Sequence, residues 1–351
     1  MRRGRRRTSG RYRGSRRGIG FLIPTLVVLC IVAAVALYII NENMTFTKDG
    51  KQFIFGQTEE ETETVDANLI IEEPAAPTVE ETTPPVAENS AESINVKAKF
   101  IPMGMVKSPE HFAEALAAIP AGVDTLVLEV KAEDGMLAFA SDSTIAATAE
   151  VSGEDSVLEN SVAKAKEKGF KIAFLMSCFK DNEAARKNQQ YAIRLENKTL
   201  WLDWYSVRWL SAYSSGAQGY LLDCIEKLKA FSPDEIILSN VSFPAVGKCE
   251  LIGYDETLGT KREMLQSFIA DAKKVADGIK LSAVFENYSD VKNQNGGQTP
   301  EDFAEFESIY INRDAGEFTL DFNAGKTRFE GIDVLLVPIG KDAVGDNFLI
   351  K

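Results

Sequence analysis

DEIILSNVSFP, residues 234–244, is a short apolar run that ends in Ser239, Asn240 and a loop reaching Pro244. A continuous run of Ile236, Ile237 and Leu238 between turn residues reads as a strand buried on both faces, the kind found in parallel sheets covered by helices. In an α/β barrel the chemistry sits where such strands end. Here the ending offers neutral side chains, Ser239 and Asn240, with Ser242 beyond.

Five more stretches read the same way: AKFIPMG (98–104), DTLVLEVKA (124–132), KIAFLMSCF (171–179), IKLSAVFE (279–286) and GIDVLLVPI (331–339). Helical periodicity falls between them, in 156–169, 216–231 and 261–278, the last closed by Gly278. Strands alternating with helices over residues 94–351 suit a (β/α)8 TIM-type barrel, usually about 250 residues long. Six strands are evident, and EFTLDF (317–322) is a candidate seventh, in a hairpin, so the sequence leaves open whether the barrel is complete or incomplete.

The chain ahead of this domain differs in composition. Nine of the 39 Lys and Arg lie in the first 18 residues; the remaining 30 face 52 acids, so residues 21–351 sit near −22. Residues 21–40, FLIPTLVVLCIVAAVALYII, carry no charge and at 1.5 Å per residue would span roughly 30 Å, the thickness of a bilayer. A signal peptide is the competing reading, but the run is long for one, and YIINENMTF lacks small residues at cleavage spacing. Positive charge before a span stays in the cytoplasm, which places the bulk of the chain outside and the Arg block (1–20) against anionic lipid. Nucleic acid is the alternative partner for such a block and is not the one expected. Residues 41–57 suggest a short hairpin around Asp49-Gly50. Residues 58–93, with eleven acids, four Pro and no basic residue, read as an extended linker.

Neither a metal nor a cofactor is expected. Cys178, Cys224 and Cys249 match no ligand spacing, and at most one disulfide can form among three. His111 is the only histidine, follows SPE at a helix start, and reads as a surface residue.

The candidate catalytic residues are carboxylates at strand ends. On 124–132 alternation puts Val127, Glu129 and Lys131 on one face, so Glu129 is either an acid with a role or the partner of Lys131 in an ion pair. Glu286 ends another strand and Asp181 follows FK after the third, and glycoside hydrolysis needs two such groups converging. LWLDWYSVRWLSAY (200–213) gathers all three Trp, Trp201, Trp204 and Trp209, with Tyr205 and Tyr213. Flat aromatic faces suit sugars, with Asp203 or Arg208 bonding hydroxyls; the plain alternative is a loop tied down by its own aromatic cluster. Lys131, Ser239 and Asn240 complete the candidate binding residues.

LVLEVKAEDGMLAFASD, CFKD, the aromatic stretch, DEIILSNVSFP and IKLSAVF follow one another in an order that resembles the putative glycosyl hydrolase domain family, over roughly residues 98–290. The resemblance implies an α-amylase-like (β/α)8 barrel acting on a polysaccharide, on secreted or membrane-anchored proteins. It matches Glu129 to the acid of the second strand, keeps Lys131, and matches Phe179, Lys180 and Asp181 to its Phe-Lys-Asp. The departures concern charge. The family's fourth-strand Asp falls on Ser239, its nearby Arg on Ser242, and its third-strand Arg on Leu175. Ser239 has no adjacent histidine in sequence to activate it. The expectation is a degenerate member that binds a cell-envelope glycan or a protein partner. An active hydrolase using Glu129 and Glu286, and a purely structural envelope protein, are the alternatives.

Overall fold

The computed structural model describes residues 44–47, 50–53, 96–285, 296–312, 326–329, 332–342 and 347–351. The apolar run 21–40, the linker 58–93, Glu286 and the candidate strand 317–322 lie outside these residues. Among the described residues no helix is long and apolar enough to cross a membrane. The chain divides into two compact units, Met1–Val86 and Ala87–Lys351. In the first, Met44–Thr47 pairs antiparallel with Gly50–Phe53, the hairpin that Asp49-Gly50 predicts.

The second unit is a closed eight-stranded barrel, which answers the question of completeness that the sequence left open. Its parallel strands are β1 (Lys97–Ile101), β2 (Thr125–Lys131), β3 (Lys171–Ser177), β4 (Glu235–Ser239), β5 (Lys280–Phe285), β6 (Ser308–Asn312), β7 (Ile332–Gly340) and β8 (Phe348–Ile350). They pair in chain order, and β8 closes the ring by pairing with both β7 and β1. Lys326–Phe329 adds a short antiparallel strand on the first half of β7. The two strands absent from the sequence expectation, β6 and β8, are the ones that complete the circle.

Side-chain alternation builds two cores. Ala98, Val127, Ala173, Ile237, Tyr310, Val337 and Leu349 fill the barrel axis, with Phe100, Leu175 and Val284 packed above them. A larger cluster lies between the strands and the helices. Helix α6 (Ser215–Lys229) and helix α7 (Lys261–Val275) show how it forms. On α7 the buried residues are Leu265, Phe268, Ile269 and Ala272, one stripe at helical spacing, and a Thr260–Glu263 capping box fixes its start. Burying a side chain such as Phe268 contributes about 1.5–3 kcal/mol. The shorter α1 (Met103–Val106), α2 (Pro109–Ala117), α3 (Thr144–Ala149), α4 (Asp155–Glu167) and α5 (Asn182–Lys187) cover the first three strands. His111 is exposed on α2, as its position after Ser-Pro-Glu suggests.

The N-terminal end of the axis is closed by polar groups. Glu235, the first residue of β4, accepts from the Tyr310 hydroxyl at 3.0 Å and pairs with Lys280 at 3.3 Å. Burial, together with the adjacent Glu235 carboxylate, holds the Tyr310 hydroxyl well above its ordinary pKa.

Candidate functional site

Two neighbouring cavities open at the C-terminal ends of the strands. The inner one, about 340 Å³, is lined by Phe100, Val127, Leu175, Ile237, Val284 and Tyr310, with Glu129, Lys131, Glu133, Ser177, Ser239 and Lys351 around them. The outer cleft, about 300 Å³, is lined by Lys180, Tyr205, Trp209, Asn240, Ser242, Phe243 and Gln298, and shares Glu133 and Val284 with the inner one. Ser239 therefore stands at the mouth, on the strand end that the opening motif marks. Leu175, the other position where a family charge is replaced, lines the same cavity.

Glu129 is partly buried and its Oε2 accepts from the Met103 backbone N–H at 3.0 Å. The register between β2 and β3 shifts between Glu129 and Lys131, pairing Glu129 with Leu175 but Lys131 with Met176. Lys131 still borders the inner cavity, but its ammonium reaches toward α6, 5.7 Å from the centre of the Tyr220 ring. There it pairs with Asp181 at 2.6 Å and donates to the Ser177 carbonyl at 2.9 Å, with both charged side chains fully buried. A Glu129–Lys131 ion pair in the barrel mouth is thus corrected to Lys131–Asp181 beneath α6.

Asp181 also accepts from the Ala184 N–H at 2.9 Å and caps α5. It lines neither cavity, so it does not converge with Glu129. Two buried thiols, Cys178 and Cys224, belong to the same region and are pushed up to about 12, by burial first and against the pull of Lys131.

The aromatic stretch divides into anchors and exposed faces. Trp201 is buried and donates to the Lys248 carbonyl at 3.0 Å. Asp203 is buried too: its Oδ1 accepts from the Tyr205 and Val207 N–H groups and its Oδ2 from Trp209 Nε1 at 3.3 Å, so it organises the loop. Arg208 is held by Asn182 Oδ1. Tyr213 lines neither cavity; it donates to the Gly259 carbonyl and packs at a tilt against Tyr254 and against Phe243, which lines the outer cleft. Trp201, Asp203 and Trp209 tie the loop down, while Trp204 and Tyr205 stand 75% and 74% exposed at the rim.

The residue that sequence reasoning missed is Glu133, in the turn after β2. It pairs with Lys180 at 2.6 Å and accepts from Asn240 Nδ2 at 3.3 Å. Lys180 lies 5.9 Å and 6.0 Å from the ring centres of Tyr205 and Trp209. Asn240 has φ +53°, a left-handed conformation that Asn tolerates better than most residues, and it turns Nδ2 toward Ser177 Oγ as well, at 3.0 Å. The available signal was positional: loops after barrel strands carry sites, and AEDG is such a loop. Among the described residues, no three His, Cys, Asp or Glu side chains cluster as a metal site would need.

No curated protein matches the chain. Among solved structures it resembles a hypothetical protein from Ruminiclostridium thermocellum (20% identity, covering 52% of this chain and 95% of that one, TM-score 0.48). It also resembles α-L-fucosidase isoenzyme 2 from Paenibacillus thiaminolyticus (12%, 63% and 40%, TM-score 0.44) and an α-amylase from Lactobacillus plantarum (14%, 62% and 52%, TM-score 0.41). The family described as "Putative glycosyl hydrolase domain" matches residues 98–306, from β1 to the turn before β6 and more than half of the sequence. The chain belongs to that glycosyl hydrolase domain family.

Proposed function

We propose that this protein is a membrane-anchored, extracytoplasmic member of its family that binds envelope glycan without cleaving it. Residues 21–40 would hold it in the membrane, residues 1–20 would face anionic lipid, and the linker 58–93 would carry the barrel outward. One observation carries the loss of catalysis: the positions where the resemblance expects Asp and Arg, 239 and 175, line one cavity and are Ser and Leu. Asp181 is locked in a buried ion pair, and glycoside hydrolysis needs two carboxylates free to face the same bond.

Binding would use the mouth and its rim, where Tyr205 and Trp209 line the cleft beside the exposed Trp204. The test pairs two measurements on the full-length chain. Reducing-sugar release from cell-wall polysaccharide and α-glucan should be absent. Polysaccharide pull-down should be present and should drop at least tenfold in Trp204→Ala/Tyr205→Ala, whose exposed side chains leave the fold intact. Sugar release that Glu129→Gln abolishes would overturn the proposal in favour of an active hydrolase.

A further inference from the structure

The geometry points to a carboxylate-binding pair at the mouth, made by Lys180 Nζ and Asn240 Nδ2 and occupied at rest by the chain's own Glu133. We propose that it selects glycans whose sugars bear a carboxylate. The inference rests on the glycan-binding reading and narrows it to a ligand class.

Three features support it. First, the two donors converge on one carboxyl group: Lys180 meets Glu133 Oε2 at 2.6 Å and Asn240 meets Oε1 at 3.3 Å. A carboxylate held through both oxygens by charged and neutral N–H donors is a strong and directional arrangement. Second, the donors are fixed and the acceptor is not. The Lys180 side chain is 16% exposed, between the Tyr205 and Trp209 rings, whereas that of Glu133 is 50% exposed. Asn240 is buried, and its other N–H goes to Ser177 Oγ, which in turn donates to the Lys180 carbonyl at 2.7 Å. Third, Lys180, Asn240 and Glu133 all line the outer cleft, where Lys180 is the only cation among the described lining residues.

Glu133 can therefore swing into water while the site keeps its shape. A sugar carboxylate entering the cleft would take over the two donors as Glu133 swings out, exchanging one charge-assisted contact for another. A neutral sugar would leave the Lys180–Glu133 pair closed.

Binding of polygalacturonate and of its methyl ester to the full-length chain, by calorimetry, tests this, since the ester removes the charge and keeps the backbone. Wild type should prefer the acid. Glu133→Ala should tighten the acid roughly tenfold, the scale of one charge-assisted bond, and leave the ester unchanged. Lys180→Met, with its thermal transition retained, should erase the preference. Equal binding of both polymers in all three proteins would overturn carboxylate selection and leave the glycan-binding reading standing. Failure of either polymer to bind any of them, while neutral cell-wall glycan still binds, would likewise overturn it. Absence of all glycan binding would sink both.

Discussion

Asp181 is the residue whose role most separates a structural from a catalytic reading, and the Lys131–Asp181 pair yields a measurable consequence. Both charged side chains are fully buried, 2.6 Å apart, with Ser177 and Ala184 as their other partners. Removing one charge from a buried pair strands the other, and such losses run to about 3–5 kcal/mol. Asp181→Asn keeps an oxygen to cap α5, so its cost should come from the stranded ammonium; Lys131→Met strands the carboxylate. The double variant removes both charges and keeps the cap, and should be milder than the sum of the singles by about 3 kcal/mol or more. Urea denaturation followed by fluorescence of the three tryptophans gives all four stabilities. If Asp181→Asn lies within about 1 kcal/mol of wild type, or the double variant costs the full sum, the pair is not what holds this corner together. Loss of glycan binding with unchanged stability would return Asp181 to the site.

Two further outcomes follow from buried groups. Cys178 and Cys224 are raised from 9.0 to about 12, so the fold favours their neutral form; the stability they contribute is complete below about pH 9 and is lost as pH climbs from 9 toward 12. Each should remove about 1.4 kcal/mol per pH unit in that window, and a urea midpoint that falls no faster above pH 9 in wild type than in Cys178→Ala/Cys224→Ala would refute it. Gly135 has φ +95° and an added Cβ would overlap Asp181 Oδ1, whereas Gly122, with φ +87°, has open space around it. Gly135→Ala should therefore cost more than Gly122→Ala, whose loss is the backbone strain alone, about 1–3 kcal/mol. Equal thermal shifts in the two variants would contradict the placement of Asp181.

Six of the eight barrel strands were legible because long apolar runs between turn residues have few other readings. The other two were hidden for different reasons. Ser308–Asn312 is five residues beside a 3-10 turn rich in acids, and Phe348–Ile350 is three residues at the chain's end. Neither is long enough to show a period, and only ring closure reveals them. The partner of Lys131 was illegible for a sharper reason: alternation assumes one residue per step, and the register shift after Glu129 lets the ammonium reach Asp181 instead. In the aromatic stretch, composition revealed the concentration of rings but not their directions. Trp201 turns inward to Lys248 while Trp204, three residues on, faces solvent. Such sorting depends on tertiary partners far along the chain.

The barrel's stability and its mouth are carried by different ends of the same strands. At the N-terminal end, Glu235, Lys280 and Tyr310 close the axis with paired groups. Above them the packed layer of Val127, Ala173, Ile237 and Val337 is wholly apolar. At the top, Leu175 and Ser239 share their cavity with Glu129, Lys131, Glu133 and Lys351 as well as with apolar side chains. Putting Asp back at 239 alone would set a carboxylate in a cavity that already holds Glu129 and Glu133, with Lys131 committed to Asp181, and a buried charge without a partner of its own is strongly destabilising.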